Sequence, residues 1–154
     1  MVEAMTEMQL MFQEKQNTGT AWTRNKKFDK NGYLVVRDLW DPEELYHPVP
    51  ELRGQVNYYD NNPEHFNHTP VENQVEGSVA RYWHPQYRTI HSGVRKKLEK
   101  VLGRKLYNTY YYDRYYFPGQ ELTKHADRDA CEISVSIHIS TNLPDDLKDW
   151  EFKI

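Results

Sequence analysis

The sequence lacks three features that would each assign a broad class of protein: a second cysteine, a long apolar run and a strong net charge. Its single cysteine, Cys131, cannot form an internal disulfide, which fits a reducing compartment, and we expect a cytoplasmic protein. No run approaches the roughly 20 apolar residues that cross a bilayer, so we expect no membrane association. With a net charge of -3 and mixed signs along the chain, no basic footprint for a phosphate backbone is present, and we expect no nucleic-acid partner.

The length of 154 residues fits one domain. We divide the chain into an N-terminal helix or arm over residues 1–27 and a domain over residues 28–154. In the arm, Met5, Met8 and Phe12 recur at helical spacing, which predicts a short amphipathic helix. The charged fraction of 28% is high for a self-contained core, which indicates extensive loops or a missing piece.

The first half of the domain mixes turn signals with one β-prone run. The turn residues 29–32 precede Tyr33 and three aliphatic residues, which predicts a strand over residues 32–38. Asp41 stands before Pro42 with two acids following, which predicts that a short helix starts there. Residues 55–80 are rich in Asn, His, Pro and Gly without periodicity, which predicts a long irregular excursion.

The second half begins with the clearest helix. It opens at His84, shows Ile90, Val94 and Leu98 at helical spacing, and ends at Gly103, a left-handed cap. Residues 106–117 contain six tyrosines, which predicts two strands or one long bent strand. An aromatic surface that stacks on single-stranded nucleic acid is a weaker alternative for this region.

Strict alternation marks the segment after residue 130. Apolar residues from Cys131 to Ile139 alternate with polar ones, which predicts a strand with one apolar and one polar face. A second alternating run over residues 150–154 predicts the beginning of another strand.

His125 and Asp127 are the candidate metal ligands. In an extended backbone, side chains two residues apart project to the same side, so an imidazole and a carboxylate there can share one cation. Two histidines and one carboxylate on one face suit Fe(II) with open coordination positions. The spacing alone is weak, because it also occurs by chance in surface loops.

The run before this pair makes the pattern more specific. Tyr116-Phe117-Pro118-Gly119-Gln120, followed by His125-Ala126-Asp127, resembles the prolyl 4-hydroxylase-like branch of the Fe(II)- and 2-oxoglutarate-dependent oxygenases. The resemblance extends from about Phe28 to the C-terminus. It implies a mainly β domain with flanking helices (α+β), a double-stranded β-helix or cupin-like jelly roll, here C-terminally incomplete.

The resemblance also implies the chemistry and the roles of five residues. Iron would be bound by His125 and Asp127, and the cosubstrate 2-oxoglutarate by Tyr116, Ser134 and His138, although a histidine at the last position departs from the family. The family oxidises 2-oxoglutarate to succinate and carbon dioxide while hydroxylating a substrate, here a prolyl or related residue of a protein or peptide. Its distal histidine ligand and the basic residue that follows it cannot be placed in this chain. The alternative is therefore an inactive jelly-roll fragment that acts as an interaction module or is a gene remnant.

Overall fold

The protein is a small α+β structure built on one mixed four-stranded sheet. The computed structural model describes residues 23–49 and 52–142. Within these residues the helices are α1 (Lys26–Asn31), α2 (Pro42–Leu45) and α3 (Tyr87–Leu102), with a short 3-10 helix over Pro63–His65. The strands are β1 (Gly54–Asn57), β2 (Asn67–Thr69), β3 (Val79–Tyr82) and β4 (Tyr112–Tyr115).

The strand order is β2-β1-β3-β4. The central pair β1 and β3 is parallel, and each outer strand is antiparallel to its neighbour. Directly paired residues share a face, and the register aligns Val56, Arg81 and Asp113 on one face. It aligns Gln55, Ala80 and Arg114 on the other. We call the first the helix face and the second the loop face.

Part of the core lies on the helix face, where α3 begins, while Ala80 is buried on the loop face. The amphipathic pattern of α3 buries Tyr87 at its start and three aliphatic residues further along. Tyr87 bonds to the helix face through Arg81, and the ring of His91 lies 4.9 Å from that of Tyr111. The buried apolar side chains are Leu45, Val56, Val75, Val79, Ala80, Tyr87, Val94, Leu98 and Leu102.

Several predicted elements are confirmed. Helix α2 begins after Asp41, whose side chain accepts from the backbone N–H of Glu43 at 3.0 Å. Helix α3 ends at Gly103, whose left-handed φ of 64° lets its N–H reach the carbonyl of Glu99. The tyrosine-rich region was predicted to form two strands or one long bent strand, and it forms only the four-residue strand β4.

Three predictions about strands and loops are wrong. Residues 32–38 form no strand: α1 extends to Asn31, Asp38 has a φ of 54°, and Val35 is 70% exposed. The excursion over residues 55–80 holds three short strands and a 3-10 helix. Residues 131–139 pair with no strand in the described chain, and Val135 and Ile137 are exposed. The alternating apolar side chains therefore have no neighbouring strand or helix that would bury them.

Other predictions fall wholly or partly outside the described residues. The amphipathic helix over residues 2–16 and the strand over residues 150–154 lie in undescribed segments. The boundary predicted between residues 27 and 28 falls inside α1. Of the helices in the described ranges, none has the length and apolar character needed to cross a membrane.

Candidate functional site

The Pro-Gly-Gln motif forms a turn that fixes the chain as it leaves β4. Gly119 has a φ of 83°, a conformation that favours glycine. The backbone N–H of Phe117 donates to Oε1 of Gln120 at 2.8 Å, and Nε2 of Gln120 donates to the carbonyl of Glu76 at 2.8 Å. The motif therefore connects the end of β4 to the loop that precedes β3.

His125 and Asp127 lie together beyond this turn. Nδ1 of His125 is 2.9 Å from the carbonyl of Thr123, which can only accept, so Nδ1 is the donor in this contact. In the neutral imidazole the lone pair is then on Nε2. Nε2 lies 3.7 Å from Oδ1 of Asp127, and the side chains are 39% and 38% exposed. An imidazole oriented through its other nitrogen is the usual arrangement of a metal-binding histidine.

Ser134 and His138 differ in their relation to this pair. Ser134 Oγ donates a hydrogen bond to Oδ2 of Asp127, so the serine contacts a proposed iron ligand. Both Ser134 and His138 are exposed. The structure therefore places the side chain of Ser134 in contact with Asp127, one of the two predicted iron ligands.

Tyr116 belongs to a polar network on the loop face. Nη1 of Arg114 donates to its hydroxyl at 3.2 Å, and Nη2 of Arg114 donates to Oε1 of Glu72 at 3.2 Å. The side chains of Arg114 and Glu72 are only 3% and 1% exposed. Burial raises the pKa of Tyr112, Arg114 lowers it, and Tyr116 and Asp127 raise it further.

The helix face has its own buried ion pair, between Arg81 and Asp113. Nε of Arg81 donates to Oδ2 of Asp113 at 2.9 Å, and Nη2 donates to the hydroxyl of Tyr115 at 2.8 Å. Nearby, burial and the positive charges of Arg81 and His47 lower the pKa of His84 from 6.5 to about 4. This cluster stabilises the fold on the side away from Tyr116.

The metal-ligand set of the described residues is incomplete. His125 and Asp127, the two predicted ligands, lie side by side, with Nε2 3.7 Å from Oδ1. The described residues contain no group of three His, Cys, Asp or Glu side chains placed to hold a metal ion. The described residues therefore supply two of the three side chains predicted to hold iron, and not the third.

Sequence reasoning missed Glu72 and Arg114. Glu72 lies in the Asn- and Pro-rich stretch, where a charged residue is expected to be exposed, and no local pattern indicates its burial. Arg114 could have been identified by its period-two spacing with Tyr112 and Tyr116, which places the three on one face.

Comparisons with known proteins give no match: no protein-family model, no characterised protein and no solved structure matches the chain.

Proposed function

We propose that the chain derives from an Fe(II)- and 2-oxoglutarate-dependent dioxygenase of the prolyl 4-hydroxylase-like branch, acting on a prolyl or related residue of a protein. The main support is the corner at His125 and Asp127, where Nδ1 donates to Thr123 and Nε2 faces the carboxylate at 3.7 Å. On this proposal residues 28–154 are a jelly-roll domain, and the parallel pairing of β1 with β3 is a departure from the antiparallel sheets of that fold.

The chain's own residues would share the work as follows. His125 and Asp127 would hold iron, Ser134 would orient the carboxylate of Asp127, and Tyr116 would donate a hydrogen bond to 2-oxoglutarate. When bound, iron with 2-oxoglutarate supplies the oxidation of an unactivated C–H bond. The protein would bind and orient the reactants and exclude water from them.

Metal titration tests the proposal. We expect Mn(II), used in place of Fe(II), to bind the chain and to bind His125→Ala and Asp127→Ala much more weakly. Loss of a residue that only orients a metal ligand costs about 10–100-fold in affinity, and loss of a ligand should cost at least as much. His65→Ala is the matched control, because His65 is an exposed histidine outside the corner. Equal binding by wild type and both corner variants would refute the metal site.

A second candidate is an inactive fragment that serves as an interaction module. The observation in its favour is that the described residues supply two iron ligands and no third. Succinate formation dependent on iron and 2-oxoglutarate, and lost in Asp127→Ala, would exclude this alternative.

A further inference from the structure

A cavity of about 320 Å³ opens between the segment that follows β1 and the segment that follows β3. Its volume lies at the lower end of the range of small-ligand sites, about 300–1,000 Å³. The lining combines apolar rings with two side-chain amides and carries no charge: Tyr58, Asn61, Asn62, Pro63, Phe66 and Pro85. Because an unpaired charge is costly to remove from water, the part of a ligand that fills this cavity is uncharged.

The walls of the cavity are fixed by contacts within the chain. The ring of Tyr58 lies edge-on to the rings of Phe66 and His84, at centroid distances of 5.2 and 5.1 Å. Oδ1 of Asn62 accepts from the backbone N–H of Glu64 at 3.0 Å, which orders the loop between the aromatic residues. Phe66 is nevertheless 43% exposed. Walls that are already ordered lose little conformational entropy when a ligand binds.

The cavity lies at the edge of the sheet where the two parallel strands end. Asn57 and Tyr82 are the paired last residues of β1 and β3. Tyr58 follows β1 directly, and its backbone N–H donates to the carbonyl of Tyr82 at 2.7 Å. Pro85 follows β3 closely. The carboxyl ends of parallel strands are a common position for ligand sites in open sheets.

The chain brings the corner at His125 and Asp127 to the same edge. Strand β4 begins there, because Tyr112 pairs with Tyr82. Just before β4, the ring centroid of Tyr110 lies 4.4 Å from Cζ of Arg128. Since Arg128 directly follows Asp127 in the sequence, the corner and the cavity both lie at this edge of the sheet.

We propose that the cavity docks a prolyl ring in an extended, uncharged stretch of the peptide substrate, an inference that rests on the proposed function. A proline ring is apolar and uncharged, and aromatic-lined grooves recognise proline-rich segments in the polyproline II conformation. Such segments have no internal hydrogen bonds, so their carbonyls can accept from the side-chain N–H groups of Asn61 and Asn62. The docked ring anchors the peptide at the edge that carries the corner.

The test is the affinity of the metal-free chain for a fluorescein-labelled hexaproline peptide, measured by fluorescence anisotropy. Phe66→Ala removes an aromatic wall and should weaken binding about tenfold or more, the effect of truncating a central aromatic contact. Tyr33→Ala is the matched control, because Tyr33 is similarly exposed, at 46%, and does not line the cavity. Its affinity should equal that of wild type. No binding by wild type, or equal losses in the two variants, overturns the proposal.

A second variant covers the case in which loss of the aromatic ring disturbs the loop. Asn61 has a φ of 59°, which glycine adopts readily, so Asn61→Gly keeps the backbone and removes the amide. Hexaproline should bind this variant about 2- to 10-fold more weakly, the effect of one neutral hydrogen bond. Unchanged affinity in Asn61→Gly overturns the proposal.

A second peptide separates recognition of proline from general apolar binding. A labelled hexapeptide of alternating leucine and serine should bind at least about tenfold more weakly than hexaproline, because it is not preorganised in an extended conformation. Equal binding of the two peptides overturns the proposal.

The proposed function has a separate readout, since the peptide assay needs no metal and the Mn(II) titration needs no peptide. Mn(II) binding at the corner without hexaproline binding refutes the cavity proposal and leaves the proposed function standing. Hexaproline binding that is lost in Phe66→Ala, without any Mn(II) binding, refutes the proposed function and leaves the cavity as a peptide-binding site.

Discussion

Burial determines how much an ion pair contributes to the free energy of unfolding. Arg81 and Asp113 are 7% and 10% exposed, whereas Arg24 is 65% exposed beside Asp29, at 3.0 Å. Exposed pairs contribute about 0–1 kcal/mol, because water screens them and ordering long side chains costs entropy. Removing one partner of a buried pair costs about 3–5 kcal/mol, because the other charge stays buried without compensation.

We therefore expect Arg81→Gln to lower the free energy of unfolding by about 3–5 kcal/mol and Arg24→Gln by at most about 1 kcal/mol. The same substitution is made in both places, and Arg81 also loses its hydrogen bonds to Tyr87 and Tyr115. Urea denaturation followed by tryptophan fluorescence measures both values. Equal losses in the two variants would show that burial of the Arg81–Asp113 pair does not increase its contribution to stability.

At the scale of elements, two glycines end helices in the same left-handed conformation but in different surroundings. Gly32 after α1 and Gly103 after α3 have φ of 78° and 64°. A Cβ at Gly32 would meet nothing within 4 Å, whereas one at Gly103 would overlap the carbonyl oxygen of Thr23.

Gly32→Ala should lower the free energy of unfolding by about 1–2 kcal/mol, the strain of a left-handed residue, and Gly103→Ala should lower it clearly more. Thermal unfolding of the two variants measures both losses. Equal shifts in Tm would contradict the close approach of the Thr23 carbonyl to Gly103.

The same elements show what sequence patterns could predict. Helix α3 and its end at Gly103 were predictable because helix periodicity and capping are local. Strands β1 and β3 were not, because each has four residues and is defined by parallel pairing with a segment about 25 residues away, as in Gly54 with Val79. The alternation over residues 131–139 was misleading, because alternation predicts a strand only where a neighbour supplies hydrogen bonds and burial.

The candidate site was predictable in a similar, partial way. The spacing of His125 and Asp127 predicts that their side chains lie close together, and Nε2 of His125 is 3.7 Å from Oδ1 of Asp127. The burial of Glu72 and its ion pair with Arg114 were not predictable, because the two residues are 42 positions apart in the sequence. Long-range pairing of single charges leaves no periodic signal in a sequence.

At the scale of the whole molecule, acid should destabilise the fold through His84. Its pKa is about 4 in the folded protein, below the value of about 6.5 expected when unfolded. Between these values the unfolded chain takes up a proton that the folded chain does not. The free energy of unfolding should therefore fall as pH decreases from about 6.5 to about 4, with the full contribution of His84 present above this window.

His84→Phe should reduce that pH dependence, since it keeps an aromatic ring beside Tyr58 and Tyr87. Nδ1 of His84 is buried without a partner in the described chain, so phenylalanine loses little there. Burial raises the pKa of Asp113, so its contribution to the free energy of unfolding changes with pH in the opposite direction. That contribution is common to wild type and variant and cancels when their slopes are compared. Urea denaturation at several pH values measures the slopes, with exposed His65→Gln as control. An unchanged slope in His84→Phe would contradict the assignment.

Strand β4 has adjacent residues of opposite charge, Asp113 and Arg114, and each meets its counterion on a different face of the sheet. A slip of one residue in its pairing with β3 would exchange the faces of all its side chains. Asp113 would then turn toward Glu72, and Arg114 toward Arg81. Each would then meet a buried side chain of its own charge, so two consecutive residues disfavour the shifted pairing electrostatically.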